Sequence, residues 1–154
     1  MNTHIKLSVC AVVVCEGRFL VVKRSPTDDF LPNCWEFVGG GVEEKETVKN
    51  ALIREIKEEV GLDISDKNTK LIGFSEEFMA DDSRYFKLNY AIELTIKPNI
   101  ILSDEQKCLW LGRWRWFTPR HFFEKYYRAI EELIRKENYM LKKVVFLTGN
   151  KHKK

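Results

Sequence analysis

Residues 39–62 read "GGGVEEKETVKNALIREIKEEVGL", three glycines and then a run in which glutamates and lysines are interleaved with aliphatic residues. Val48, Leu52, Ile56 and Val60 recur every four positions, and Gly61 follows the last of them. That spacing predicts an amphipathic helix from Glu46 to Val60 with its apolar stripe on a core and a glycine stop. Glu55, Glu58 and Glu59 fall outside the stripe at i, i+3 and i+4, so they share a second face. Three carboxylates so close repel unless a positive charge sits among them. A hard divalent cation such as Mg²⁺ takes oxygen ligands and keeps waters, which makes this face a natural place for one. A solvated acidic face is the competing explanation, and the cluster alone does not overturn it.

The glycines supply a second clue. Set between a strand and a helix, Gly39, Gly40 and Gly41 permit positive φ and let the backbone approach a ligand. Their carbonyls are available to a metal and their amides to phosphate oxygens. Carboxylates, a divalent ion and a glycine turn together suit phosphate chemistry, in which metal neutralises charge and activates water.

The flanking sequence is that of a mixed α/β domain. "SVCAVVVC" (8–15) and "RFLVV" (18–22) are β-rich and separated by Glu16-Gly17, so residues 7 to 23 read as a hairpin. "WEFV" (35–38) is a short buried strand, and "LIGFSEEFM" (71–79) another strand. In "RYFKLNYAIELTIK" (84–97), Phe86, Leu88, Tyr90, Ile92, Leu94 and Ile96 alternate with mostly polar residues, the pattern of a strand with one wet face. "WLGRWRWF" (110–117) reads as a strand carrying Trp110, Trp114 and Trp116 on one face. Thr118 and Pro119 then offer an N-cap and N1 for a second helix bearing Phe122, Phe123, Tyr126, Ile130, Leu133 and Ile134. The expectation is a sheet covered by two helices.

Composition narrows the function classes. The chain has 154 residues, 44% hydrophobic and 32% charged, which is the composition of one folded domain with a real core. The apolar run Val9 to Cys15 is too short to span a bilayer, and its flanks lack the features of a secretory signal. A cytoplasmic protein without a membrane partner is expected. Cys10, Cys15, Cys34 and Cys108 form no CxxC pair and accompany no His cluster, so reduced structural thiols are expected rather than zinc. The net charge is +3, but the last fourteen residues carry five lysines (142, 143, 151, 153 and 154) and no acid. Taking those five from +3 leaves −2 for the remainder, which argues against a nucleic-acid binding surface.

The joint spacing outweighs its parts. Gly40, five residues, Glu46, seven residues, Arg54-Glu55-Ile56, one residue, Glu58-Glu59, one residue, Gly61-Leu62 fills every fixed position of the pattern GX5EX7REUXEEXGU, with U aliphatic. The segment resembles the signature box of the Nudix hydrolases, and "LVVKR" and "WEFVGG" resemble what precedes that box in MutT-like members. Val38 departs from the proline found there in many of them. The resemblance covers roughly residues 6 to 138, and domain bounds of 1–140 with a basic tail at 141–154 follow.

The resemblance implies an α/β/α sandwich with a mixed β-sheet flanked by helices, and hydrolysis of a nucleoside diphosphate linked to another moiety with Mg²⁺ or Mn²⁺. It implies that Glu58 and Glu59 are the principal metal ligands, joined by a carbonyl of Gly39 or Gly40. Glu55 then binds metal or orients the attacking water, and Glu46 and Arg54 form a supporting salt bridge. Arg24 is a candidate phosphate contact, as are the amides of Gly40 and Gly41. Some members carry a further glutamate in a later loop; Glu105 in "LSDEQK" is the candidate here and Asp104 the fallback. Trp35 is a candidate for stacking a purine, with a core role as its alternative.

The short domain and "WEFVGG" lean toward a MutT-like nucleoside triphosphate diphosphatase releasing NMP and pyrophosphate. Oxidised purine triphosphates are the leading substrates. The alternatives are an ADP-ribose or nucleotide-sugar pyrophosphatase and a non-catalytic nucleotide sensor. The partner is then a small-molecule nucleotide, with monomer and homodimer both open. "KKVVFLTGNKHKK" (142–154) also resembles the opening strand and phosphate loop of Ham1-like inosine triphosphate pyrophosphatases, as the start of a second domain would. A closing strand with a basic end is the simpler reading.

Overall fold

A computed structural model describes residues 4–16, 18–27, 32–78, 83–102 and 106–112, together with Glu132 and Arg135. The described elements, in chain order, are β1 (Ile5–Cys15), β2 (Arg18–Arg24), β3 (Trp35–Glu36), β4 (Val38–Gly41), α1 (Val48–Val60), β5 (Thr69–Phe78), β6 (Arg84–Leu94) and β7 (Gln106–Gly112). All of these strands join one mixed sheet in the order β3-β2-β1-β6-β5, with β4 also on β1 and β7 also on β2. β1 and β6 run parallel through the full register Ile5↔Arg84 to Cys15↔Leu94, while the other pairs are antiparallel. A parallel pair needs a long crossover, and the chain between β1 and β6 contains α1.

α1 is fixed at both ends by its own sequence. Thr47 has extended backbone and its hydroxyl accepts from the Asn50 amide at 3.2 Å, closing the N-terminus. Gly61 takes the left-handed conformation, φ 68°, and its amide donates to the Lys57 carbonyl. The helix therefore begins at Val48, two residues later than periodicity suggests, because Thr47 is a better cap than Glu46. Ala51, Leu52, Ile56 and Val60 are buried against Val9, Ala11 and Val13 of β1 and Ile92 and Leu94 of β6. Burying each Leu, Ile or Val side chain stabilises by roughly 1.5–3 kcal/mol.

Residues on the other face of the sheet are buried too. Cys10, Val12, Val14, Phe19, Val21 and Ala91 are all buried, which is why Val9–Cys15 reads as a continuous apolar run and not as an alternation. Two expectations change accordingly. β6 has no uniformly wet face, since Asn89 and Ala91 are as buried as Ile92. β6 also ends at Leu94, leaving Ile96 exposed. The glycines form a strand and not a turn: Gly39, Gly40 and Gly41 pair with Cys10, Val9 and Ser8 in register. The turn comes afterwards, at Glu44-Lys45.

Glu132 and Arg135 are helical. The rest of the second helix from Thr118, Trp114 and Trp116, the loop acids Glu105 and Asp104, and the tail 141–154 lie outside the described residues. No helix among the described residues is long and apolar enough to cross a membrane.

Candidate functional site

β4 and α1 meet at the glycines. Gly39 is demanded by packing, because a Cβ there would strike the Val9 carbonyl and lie 2.9 Å from the Cys10 Cα. Gly40 is demanded by the helix: a Cβ there would overlap the Glu55 carboxylate. Gly41 is under no such constraint, with nothing within 4 Å of a Cβ. The strand thus brings bare backbone beneath a carboxylate, the close approach that only glycine permits.

Arg54 organises the acids around it. Its Nε and Nη2 donate to the two oxygens of Glu46, each at 2.9 Å, in the bidentate fork that guanidinium and carboxylate form best. Nη2 also donates to the Gly41 carbonyl at 2.9 Å, and Nη1 to Glu55 at 2.8 Å and to Glu58 at 3.2 Å. Glu46 is further held by the Glu43 amide at 3.1 Å. These bonds, Arg54 above all, hold the Glu46 carboxyl down to about 2, and the same pairing raises Arg54 further above its ordinary value. Glu46 and Arg54 are therefore a fixed ion pair that ties α1 to the end of β4.

The three glutamates of the helix face differ in environment. Glu55, whose side chain is 14% exposed, has its pKa raised, chiefly by burial, despite the bond from Arg54. Glu59 accepts a hydrogen bond from the Gly39 amide at 3.1 Å. Glu58 is 61% exposed and turns toward Arg54. Among the described residues no group of three or more His, Cys, Asp or Glu side chains is placed to hold a metal ion. The types of donor at this corner nonetheless suit a hard cation. Glu55 and Glu59 both reach the glycine strand with oxygen donors, and the Glu55 charge is disfavoured where it sits.

Beside this corner lies a cavity of about 980 Å³, lined by Gly39, Gly40 and Gly41, by Arg24 and Glu36, and by Lys6, Ser8, Ser75, Tyr85 and Lys87 among others. Arg24 lines it while donating to Glu36 at 3.2 and 3.4 Å. Trp35 lies apart from the lining, on β3 in register with Lys23, whose Nζ stands 5.9 Å from the ring centroid. Lys6, Ser8, Ser75 and Lys87 carry no motif. Their one signature in the sequence is polar residues at alternate positions within otherwise apolar strands. Glu105, the expected loop acid, and the side chain of Trp110 lie outside the described residues.

A family model described as NUDIX domain matches residues 4–136. Among curated relatives, an 8-oxo-dGTP diphosphatase of Proteus vulgaris is 38% identical over 61 residues, 39% of this chain and 54% of the relative. A dihydroneopterin triphosphate diphosphatase of Haemophilus influenzae is 37% identical over 92 residues, 59% of this chain and 56% of the relative. This chain therefore spans little more than half the length of either. Among solved structures, a MutT protein from Methanosarcina mazei superposes with a TM-score of 0.72 at 20% identity, covering 89% of this chain and 98% of that one. At that identity the likeness speaks for the fold.

Proposed function

The chain belongs to the NUDIX domain family, and on that basis we propose that it is a pyrophosphohydrolase cleaving nucleoside triphosphates to NMP and pyrophosphate. The observation that carries the reading is the corner where the Glu55 carboxylate overlies Gly40 beside a cavity furnished with Arg24, Lys6 and Lys87. Two relatives named as diphosphatases of triphosphates favour that substrate class. Purine triphosphates, the oxidised ones included, are the leading candidates.

Each step is assigned to residues of this chain. Glu55, Glu58 and Glu59, with a carbonyl of Gly39 or Gly40, would hold Mg²⁺ or Mn²⁺. The ion, when bound, would neutralise the pyrophosphate and lower the pKa of the attacking water. Glu55 would orient that water from its place over Gly40. Arg54 aims Glu55 and is itself locked by Glu46, so the pair positions the acids without touching substrate. Arg24, which lines the cavity, would meet a phosphate oxygen, with Glu36 as its resting partner. Glu105 remains the candidate for a further acid, and Trp35, although apart from the lining, for stacking a purine.

A panel of (d)NTPs, ADP-ribose and nucleotide sugars incubated with the chain and Mg²⁺, with products identified, tests the reading. Release of pyrophosphate from triphosphates supports it; turnover of ADP-ribose alone redirects it to the sugar-nucleotide class. Glu59→Gln keeps an acceptor for the Gly39 amide and should cut turnover by orders of magnitude in a folded protein. Nucleotide binding without turnover of any substrate would leave a sensor.

A further inference from the structure

Four residues with small or absent side chains stand in one row across the sheet, and the row ends in the site. Gly39 on β4 pairs with Cys10 on β1, Cys10 with Asn89 on β6, and Asn89 with Gly73 on β5. Gly39 and Cys10 line the cavity, and Gly39 is the glycine whose amide holds Glu59. The next row, Gly41, Ser8, Lys87 and Ser75, lines the cavity throughout. Asn89 is thus the neighbour of the cavity wall on two sides, with no large side chain beside it from either adjacent strand.

Asn89 is also chemically incomplete. It is 0% exposed, and its Nδ2 donates only a long bond, 3.4 Å, to the Lys87 carbonyl. Its Oδ1 is buried with no hydrogen-bond partner. Reversing the amide would set an oxygen against that carbonyl, so Oδ1 is the atom left over. A buried acceptor without a donor is costly, and an apolar residue would suit this position better unless a ligand completes it. Cys10, exposed by only 1%, lines the same cavity, so burial this deep is compatible with a place at the wall; Asn89 stands one strand beyond it, directly behind Cys10 and beside Lys87.

We propose that Asn89 is a specificity-determining residue: its Oδ1 accepts a hydrogen bond from an exocyclic amine of the substrate's nucleobase, lying in the small-residue row. The proposal rests on the nucleotide reading above and adds to it the chemical edge that is read. A buried acceptor of this kind discriminates strongly, because a base lacking the donor leaves it unpaired.

The test compares bases that differ by one amine: dGTP with dITP, and ATP with purine riboside triphosphate. Wild-type kcat/KM should favour the amino member of at least one pair by about tenfold or more. In Asn89→Leu that ratio should collapse toward unity, whatever happens to the absolute rates. Asn89→Asp, which keeps the acceptor, should retain it. Should the leucine variant fail to fold, Asn89→Ser is read in the same way. A wild type indifferent to both amines, or a folded variant that keeps the full ratio, overturns the proposal. Dissociation constants for the same pairs, measured by calorimetry, keep it decidable if nothing is hydrolysed. Absent turnover then counts against the hydrolase, while the presence or loss of the amine preference still judges Asn89.

Discussion

The Glu55 carboxylate lies so directly over Gly40 that no side chain can stand at position 40 without moving it. The neighbouring glycines differ in what they face: Val9 and Cys10 backbone at Gly39, open space at Gly41. One substitution made three times should therefore give three outcomes. Gly40→Ala should leave stability nearly unchanged, because a flexible side-chain end can yield, yet lower kcat about a hundredfold by displacing Glu55. Gly39→Ala should cost roughly 1–3 kcal/mol in denaturant unfolding, since backbone cannot yield so cheaply. Gly41→Ala should change stability by less than about 0.5 kcal/mol. Equal effects at all three positions would contradict this packing.

Arg54 reaches Glu46, Glu55, Glu58 and the Gly41 carbonyl with one planar fork. A lysine keeps the charge but offers no planar pair of donors, so it cannot hold Glu46 and aim Glu55 together. Arg54→Lys is expected to reduce activity by about 10–100-fold with the helix retained by circular dichroism. Activity close to wild type would mean that charge alone suffices.

Much of this corner was legible in the sequence, and the reasons it was not fully legible are physical. The stripe Leu52, Ile56 and Val60 reports a local helical period, and it is the buried face observed. The Glu46–Arg54 pairing is likewise present, although its bond to Gly41 depends on where β4 lies. Strand pairing is non-local, so three consecutive glycines read as a turn until β1 is placed beside them. Asn89 illustrates the same limit. Alternation in β6 assigned it to a wet face, but alternation records polarity and cannot register that positions of the second face are themselves buried.

Glu46 predicts an acid limit to stability. Its carboxyl is held from 4.5 down to about 2 in the fold, chiefly by Arg54 and then by the Glu43 amide. A depressed folded value means that its stabilising contribution is fully present above pH 4.5 and is lost as pH falls from there toward about 2. Urea midpoints measured at pH 6, 4 and 3 should fall across that window, and Glu46→Gln should flatten the fall. An unchanged acid slope in the variant would assign the loss to other carboxylates.

Glu55 carries the opposite sign. Burial raises its pKa, so the ionised group is a liability to the metal-free fold above that value, and the liability is relieved as pH falls. A neutral isostere removes it, so Glu55→Gln should raise the denaturation midpoint in EDTA at pH 7.5 while abolishing turnover. Mg²⁺ should reverse the ranking. A ligand bound only by the folded state stabilises in proportion to its occupancy, and the variant lacks one of the proposed oxygen donors. Titrating Mg²⁺ during thermal unfolding should therefore shift the wild type upward and Glu55→Gln much less. Equal shifts in both proteins would remove Glu55 from the cation site while leaving its role toward water to be judged by the kinetics.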